Sequence, residues 1–253
     1  MTDTSTDNQN NLTNISKILW DNVLKPDNSW KDNPKCSEIQ QKLLHFNPDH
    51  LDAPEHIDKV IKCVIRGVRL TEEAINWYEP SIGDTLKRGE IDKIRGVQWR
   101  LVIAYSGFEI TTKALMNNFE RFERGKRRPK HLDIPNLIKK CSLPSYNPLD
   151  TPNPKKKENF DKWLAKDQDA IAEFLSVTAG DKKIIERWII QANSISSWED
   201  AVKLAKALRN ASAHGFLSAK KVQDWQLKPG LSILADNLGE IMAAGLKKLM
   251  ALR

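Results

Sequence analysis

In the run ALRNASAHGF, Ala207 to Phe216, an arginine and a histidine stand five positions apart. Asn210 directly follows Arg209, and Gly215 directly follows His214. These residue types suit one kind of chemistry. A guanidinium stays charged at any relevant pH and can hold a phosphate through two parallel hydrogen bonds. An imidazole exchanges a proton near neutrality. The Asn210 amide can orient either the phosphate or the arginine. Together they suit proton transfer at a phosphoryl group, and the sequence offers no acidic ligand cluster for a metal.

Spacing alone carries little. With twelve arginines and five histidines, roughly 0.7 matches to R-x(4–6)-H are expected by chance. A second match does occur, Arg124 to His131 in RGKRRPKH, but its glycine and proline oppose a helix. Arg209 instead follows a run of apolar helical periodicity closed by Leu208. On an ideal helix, five residues turn through about 500°, which leaves the two side chains about 140° apart. They converge only if the helix stops. Gly215 suits the position just past a helix end, so the helix is expected to end near Ala213 and let His214 turn back. The competing reading is structural: an arginine and a histidine at a helix end satisfy carbonyls and the helix dipole.

The elements that must position this pair are helical throughout. Apolar residues at three- and four-residue steps predict helices over Asn14–Leu24, Ser37–Phe46, Pro54–Tyr78 and Ile91–Asn117. Further helices are expected over Asn159–Val177, Lys182–Ala192, Trp198–Ala211 and Leu231–Leu252, with Asp181 and Ser197 as N-caps. Residues 1–13 read as a disordered tail and 14–53 as short N-terminal helices. Residues 54–253 read as one helical domain with a loop-rich basic insertion at 121–157, which holds six of the twelve prolines and at most one short helix, near Asn136–Lys140. The fold class is all-α.

Charge divides unevenly. Residues 1–60 hold six lysines, no arginine and ten acids, a balance of −4, so with +7 overall the remainder carries +11. That asymmetry points to a polyanionic partner for the later part. The three cysteines lack C-x-x-C spacing and read as reduced thiols, and the polar N-terminus and the lack of a long apolar run give the expectation of a cytosolic chain with no membrane span. No P-loop, G-x-G-x-x-G or G-x-S-x-G motif is present.

LRNASAHG resembles the signature of the HEPN superfamily: arginine, a polar residue, a short spacer, histidine. AYSGFEITTKALM, Ala104 to Met116, resembles an upstream helix of that family carrying an acid, a lysine four residues on and a small-large pair, here Glu109, Lys113, Ala114 and Leu115. The resemblance covers the motif helix, this helix and the C-terminal helix; the N-terminal ninety residues and the insertion lie outside it. It implies an up-down helical bundle and a metal-independent endoribonuclease that needs no cofactor. It also implies cleavage of single-stranded RNA by its own 2′-OH, in antiviral defence or as a toxin. Arg209 would hold the phosphate and His214 would protonate the leaving group, with Asn210 orienting and Glu109 supporting. A homodimer with one composite cleft is implied, together with a regulatory or antitoxin protein partner. A toxin subgroup has a modifiable tyrosine two residues after the histidine. Phe216 stands there in this chain, which puts control by that route in doubt.

Other residues carry weaker signals. Arg121, Arg124, Lys126, Arg127, Arg128 and Lys130 form a basic cluster that either tracks an RNA backbone or is a solvated loop. Trp198 and Trp225 can stack bases or pack in the core. His45, His50 and His56, set among Asp49, Asp52 and Glu55, match no metal-ligand spacing. A non-catalytic RNA- or nucleotide-binding module, or a helical interaction scaffold, is the alternative to an enzyme.

Overall fold

A computed structural model describes residues 34–50, 54–75, 89–118, 121–123, 126–128, 132–152 and 175–251. The described residues are mostly helical. The expectations for 1–33, and for most of the helix over Asn159–Val177, lie outside them. The chain forms two compact units: residues 1–73, 106–144 and 239–253 in the first, residues 74–105 and 145–238 in the second.

In the first unit, α1 spans Pro34–Phe46 and α2 spans Pro54–Ile75. Ile57, Val60, Ile61, Val64, Ile65 and Val68 form the buried stripe of α2 at helical spacing. Complete burial of each such side chain is worth about 1.5–3 kcal/mol. Helix α3 spans Glu90–Leu115, and its later part, with Phe108 and Leu115 buried, belongs to this unit. The crossing of α2 and α3 is set by two glycines. A Cβ on Gly67 would stand 2.7 Å from the Gly107 carbonyl oxygen, and one on Gly107 would stand 2.6 Å from that of Gly67. Thr111 and Thr71, four residues further along the two helices, close the same crossing even more tightly.

Among its described residues, the insertion holds two short strands and one helix. Strands β1 (Arg121–Glu123) and β2 (Lys126–Arg128) pair antiparallel, with Arg121 opposite Arg128 and Glu123 opposite Lys126. Three-residue strands are too short to produce a visible alternation. Helix α4 spans Ile134–Cys141: Asp133 caps it by accepting from the Asn136 N–H, and Ser142 ends it at φ 51°. Lys140 donates to the Phe46 carbonyl at 2.5 Å and so satisfies the last turn of α1.

In the second unit, α5 (Ala179–Ile185) runs into a π-helical turn, Glu186–Ile190. Its N-cap is Thr178, not Asp181. Thr178 is extended at φ −135° and its hydroxyl accepts from the Asp181 N–H, which places Asp181 inside the first turn. Helix α6 spans Trp198–Ala213, α7 spans Ala219–Asp224 and α8 spans Lys228–Ala251, with its residues from Gly239 onward belonging to the first unit. Ser197 caps α6 as expected, accepting from the Asp200 N–H at 3.2 Å. Helix α7, only six residues long, is too short to show helical periodicity in the sequence. Helix α8 begins three residues earlier than its periodicity suggests, because Pro229 falls in the first turn, where its missing N–H costs nothing. Gly230 is required there: a Cβ would come within 2.8–2.9 Å of the buried Trp188 ring. Arg100 of α3 donates to the Ala74 carbonyl and the Ser232 hydroxyl and pairs with Asp236.

Gly67→Ala and Gly107→Ala are each expected to cost about 1–3 kcal/mol, since the added methyl meets backbone that cannot move aside alone. Gly180→Ala, with ordinary room inside α5, should be neutral or stabilising by about 0.5–1 kcal/mol. Thermal unfolding of the three variants checks this; similar shifts in all three would remove the crossing as a constraint.

Candidate functional site

The motif lies on the last turn of α6 and the chain just beyond it. Trp198, Ala201, Val202, Leu204, Ala205, Ala207, Leu208 and Ala211 are buried and hold that helix against its unit. Arg209, next to the stripe, is only partly exposed. Its Nη1 donates to Asn210 Oδ1 at 2.9 Å, and its guanidinium carbon lies 5.3 Å from the centroid of the Tyr105 ring on α3. Asn210, 8% exposed, uses its other end as well: Nδ2 donates to Asp181 Oδ2 at 3.3 Å. The amide oxygen thus faces the arginine and the amide nitrogen the acid.

The helix stops where Gly215 implied. His214 is the C-cap residue, and its backbone N–H donates to the Asn210 carbonyl at 3.0 Å. Gly215 adopts φ +76°, the left-handed region that favours glycine. The chain then folds back, with the Leu217 N–H donating to the Ala211 carbonyl at 2.9 Å. Gln98 of α3 fixes this turn by donating to the Leu217 carbonyl at 2.6 Å. The His214 side chain is exposed, with its ring centroid 6.2 Å from that of Phe216. Arg209 and His214 thus take different partners: one is held against the protein, the other faces outward from an anchored backbone.

Tyr105, Gln98 and Asp181 do not stand out as site residues in the sequence. Tyr105 belongs to the apolar stripe of α3, and Asp181 resembles an N-cap. Gln98 stands on the apolar face of α3, four residues after Ile94 and three before Leu101, the one signal that something polar faces it. Glu109 belongs to the first unit, where it pairs with Lys113 at 2.7 Å, the spacing of an ordinary helix-surface pair. Trp198 and Trp225 are both buried, which settles their role as packing: Trp198 stands edge-on to Tyr146, and Lys221 lies over the Trp225 ring. Of the basic cluster, Arg121, Lys126, Arg127 and Arg128 lie on the hairpin; Arg124 and Lys130 fall outside the described residues, as does His131.

His50 and His56 are joined directly, Nδ1 to Nε2, at 3.1 Å. His50 Nε2 faces the Leu115 carbonyl at 3.0 Å, and because a carbonyl only accepts, that nitrogen carries the proton. Neutral His50 therefore accepts at Nδ1 from His56. Burial pushes the basicity of His50 below its ordinary value, and burial together with Lys59 does the same for His56. Among the described residues no group of three or more His, Cys, Asp or Glu is arranged to hold a metal, and no helix is long and apolar enough to cross a membrane. Cys63 and Cys141 are free thiols, that of Cys141 pushed up to about 12 by burial. No protein-family model, no curated protein and no solved structure matches this chain.

The histidine pair predicts a direction for pH. With the folded value of His50 depressed, the unfolded chain binds the proton more readily, so stability is complete above the ordinary value of 6.5 and is lost as the pH falls through it to the folded value. Thermal midpoints measured from about pH 7.5 down to about 5.5, the range in which histidine titrates, should fall further for the natural chain than for His50→Gln. Parallel decline of the two would place the titrating group elsewhere.

Proposed function

We propose that the chain is a metal-independent endoribonuclease of HEPN type, acting on single-stranded RNA. The observation that carries the reading is the end of α6. There a helix closes between Arg209 and His214, with the arginine oriented by its neighbouring amide and the histidine exposed on the departing turn. The 2′-OH of RNA is the nucleophile. Arg209 holds the scissile phosphate and offsets the charge that grows on it, and His214 delivers a proton to the departing 5′-oxygen. Asn210 acts on the arginine. A second copy of the chain would supply the other half of a shared cleft, as a two-fold dimer does. Trp99, Phe216 and Ile233, large apolar side chains exposed in the second unit, offer surface that a copy can cover. The biological setting that fits the reading is antiviral defence or toxicity, held in check by a protein partner.

Incubation of the protein with single-stranded RNA in EDTA should yield a 2′,3′-cyclic phosphate (or its hydrolysed 3′-phosphate) and a 5′-OH. Arg209→Ala and His214→Ala should each abolish cleavage, and the double variant should lose little more than either, because residues acting as a unit are strongly non-additive. Intact RNA that is bound but never cut would favour the non-catalytic module. Activity that tracks only the folded fraction would reduce the pair to helix capping, worth about 0.5–2 kcal/mol.

The basic cluster is the proposed track for the RNA backbone. Neutralising Arg124, Lys126, Arg127 and Arg128 together should weaken RNA binding and flatten its salt dependence. The log–log slope should shrink by roughly 0.7 for each phosphate of the single strand that the variant no longer neutralises. A binding titration across salt concentrations checks this, and an unchanged slope would leave the hairpin as solvated surface.

A further inference from the structure

We infer that Asp181 is a positioning residue for Arg209, acting through the Asn210 carboxamide; its bearing on catalysis rests on the reading of Arg209 as the phosphate-holding group. Asp181 is 2% exposed, in the first turn of α5. Burying a carboxylate is costly unless it is hydrogen-bonded and its charge is met. Here Oδ2 accepts from Asn210 and Oδ1 lies 3.7 Å from Lys206 Nζ. Joining α5 to α6 does not explain the cost. Arg187, on the π-helical turn that extends α5, already pairs with Asp200 of α6 at 2.7 Å.

What Asp181 adds is a direction. A carboxamide turned by 180° exchanges its oxygen for its NH2. In that orientation Asn210 would set an acceptor against the Asp181 carboxylate and donors against the Arg209 guanidinium. Both approaches would be repulsive. The carboxylate therefore selects the orientation in which Oδ1 faces Arg209 Nη1. The Tyr105 ring, 5.3 Å from the guanidinium carbon, and the bond to Asn210 then restrict the guanidinium plane together. Either restraint alone leaves a rotation open. A bidentate phosphate bond depends on that plane, because its two N–H vectors must point the same way.

The test uses the full chain with Asp181→Ala, which removes the acceptor, and Asp181→Asn, which keeps an oxygen where Asn210 can use it. Asn210→Ala severs the same link from the other side. Two readouts are taken: single-stranded RNA cleavage, and nitrogen NMR of the Arg209 side chain without RNA, assigned with Arg209→Lys. In Asp181→Ala and Asn210→Ala the hindered guanidinium signals of Arg209 should become averaged, and in Asp181→Asn they should stay near those of the natural chain. Cleavage should fall in kcat by about 10–100-fold in the first two, with KM changed little, and largely recover in Asp181→Asn. Unchanged Arg209 signals in Asp181→Ala and Asn210→Ala would overturn the inference, as would cleavage that only follows the folded fraction. Altered Arg209 signals in a protein whose natural form never cuts RNA would sustain the positioning role and sink the ribonuclease reading. Should Asp181→Ala fail to fold, Asn210→Ala and Asp181→Asn decide the matter by the same two readouts.

Discussion

The amide of Asn210 can satisfy an acid on one side and a cation on the other, but only in one orientation. That constraint organises the end of α6. A carboxylate, a neutral dipole and a guanidinium follow one another in an order that is attractive at each step. Lys206 stands beside the buried acid, so the carboxylate is never left as an isolated charge in a low-dielectric setting. Tyr105 adds a flat, weakly negative surface for the guanidinium, an interaction typically worth about 0.5–2 kcal/mol. The arginine therefore gives up rotamer freedom within the fold, and in the proposed reading that part of the entropic cost of holding a phosphate would not recur.

The histidine is handled in the opposite way. Its backbone is restrained by the bond to the Asn210 carbonyl, by the left-handed Gly215 and by Gln98 reaching the returning chain at Leu217. Its ring is exposed. A restrained guanidinium and an exposed imidazole are the division of labour that the proposed phosphoryl chemistry would use, with the charge in place and the proton free to travel.

The first unit depends on steric fit more than on polar order. Gly67 and Gly107 face each other's carbonyl oxygens, and neither position has room for a side chain. Close approach of two backbones brings many weak dispersion interactions into range at once, and it leaves no slack for an added methyl. Thr71 serves the same crossing, with its hydroxyl donating to the Gly67 carbonyl inside α2.

Much of this is legible locally. The helical class, the end of α6 near Ala213, the Ser197 cap and the role of Gly215 all follow from residues within a few positions of each other. Helical period, capping and positive φ are themselves short-range physics. The start of α5 is ambiguous for a local reason: Thr178 and Asp181 are both good caps, and only the backbone decides which one turns outward. The hairpin is hidden because three-residue strands leave no periodic trace. What the sequence determined by itself was where an arginine and a histidine sit relative to a helix end. Only the tertiary structure decided what holds that pair. The Asn210–Asp181 bond spans 29 residues of chain and the Gln98–Leu217 bond spans 119. A polar side chain carries donors and acceptors but no address. Its partner is chosen by how the helices pack, and apolar spacing specifies that a helix has a buried face without specifying which distant residue lies against it.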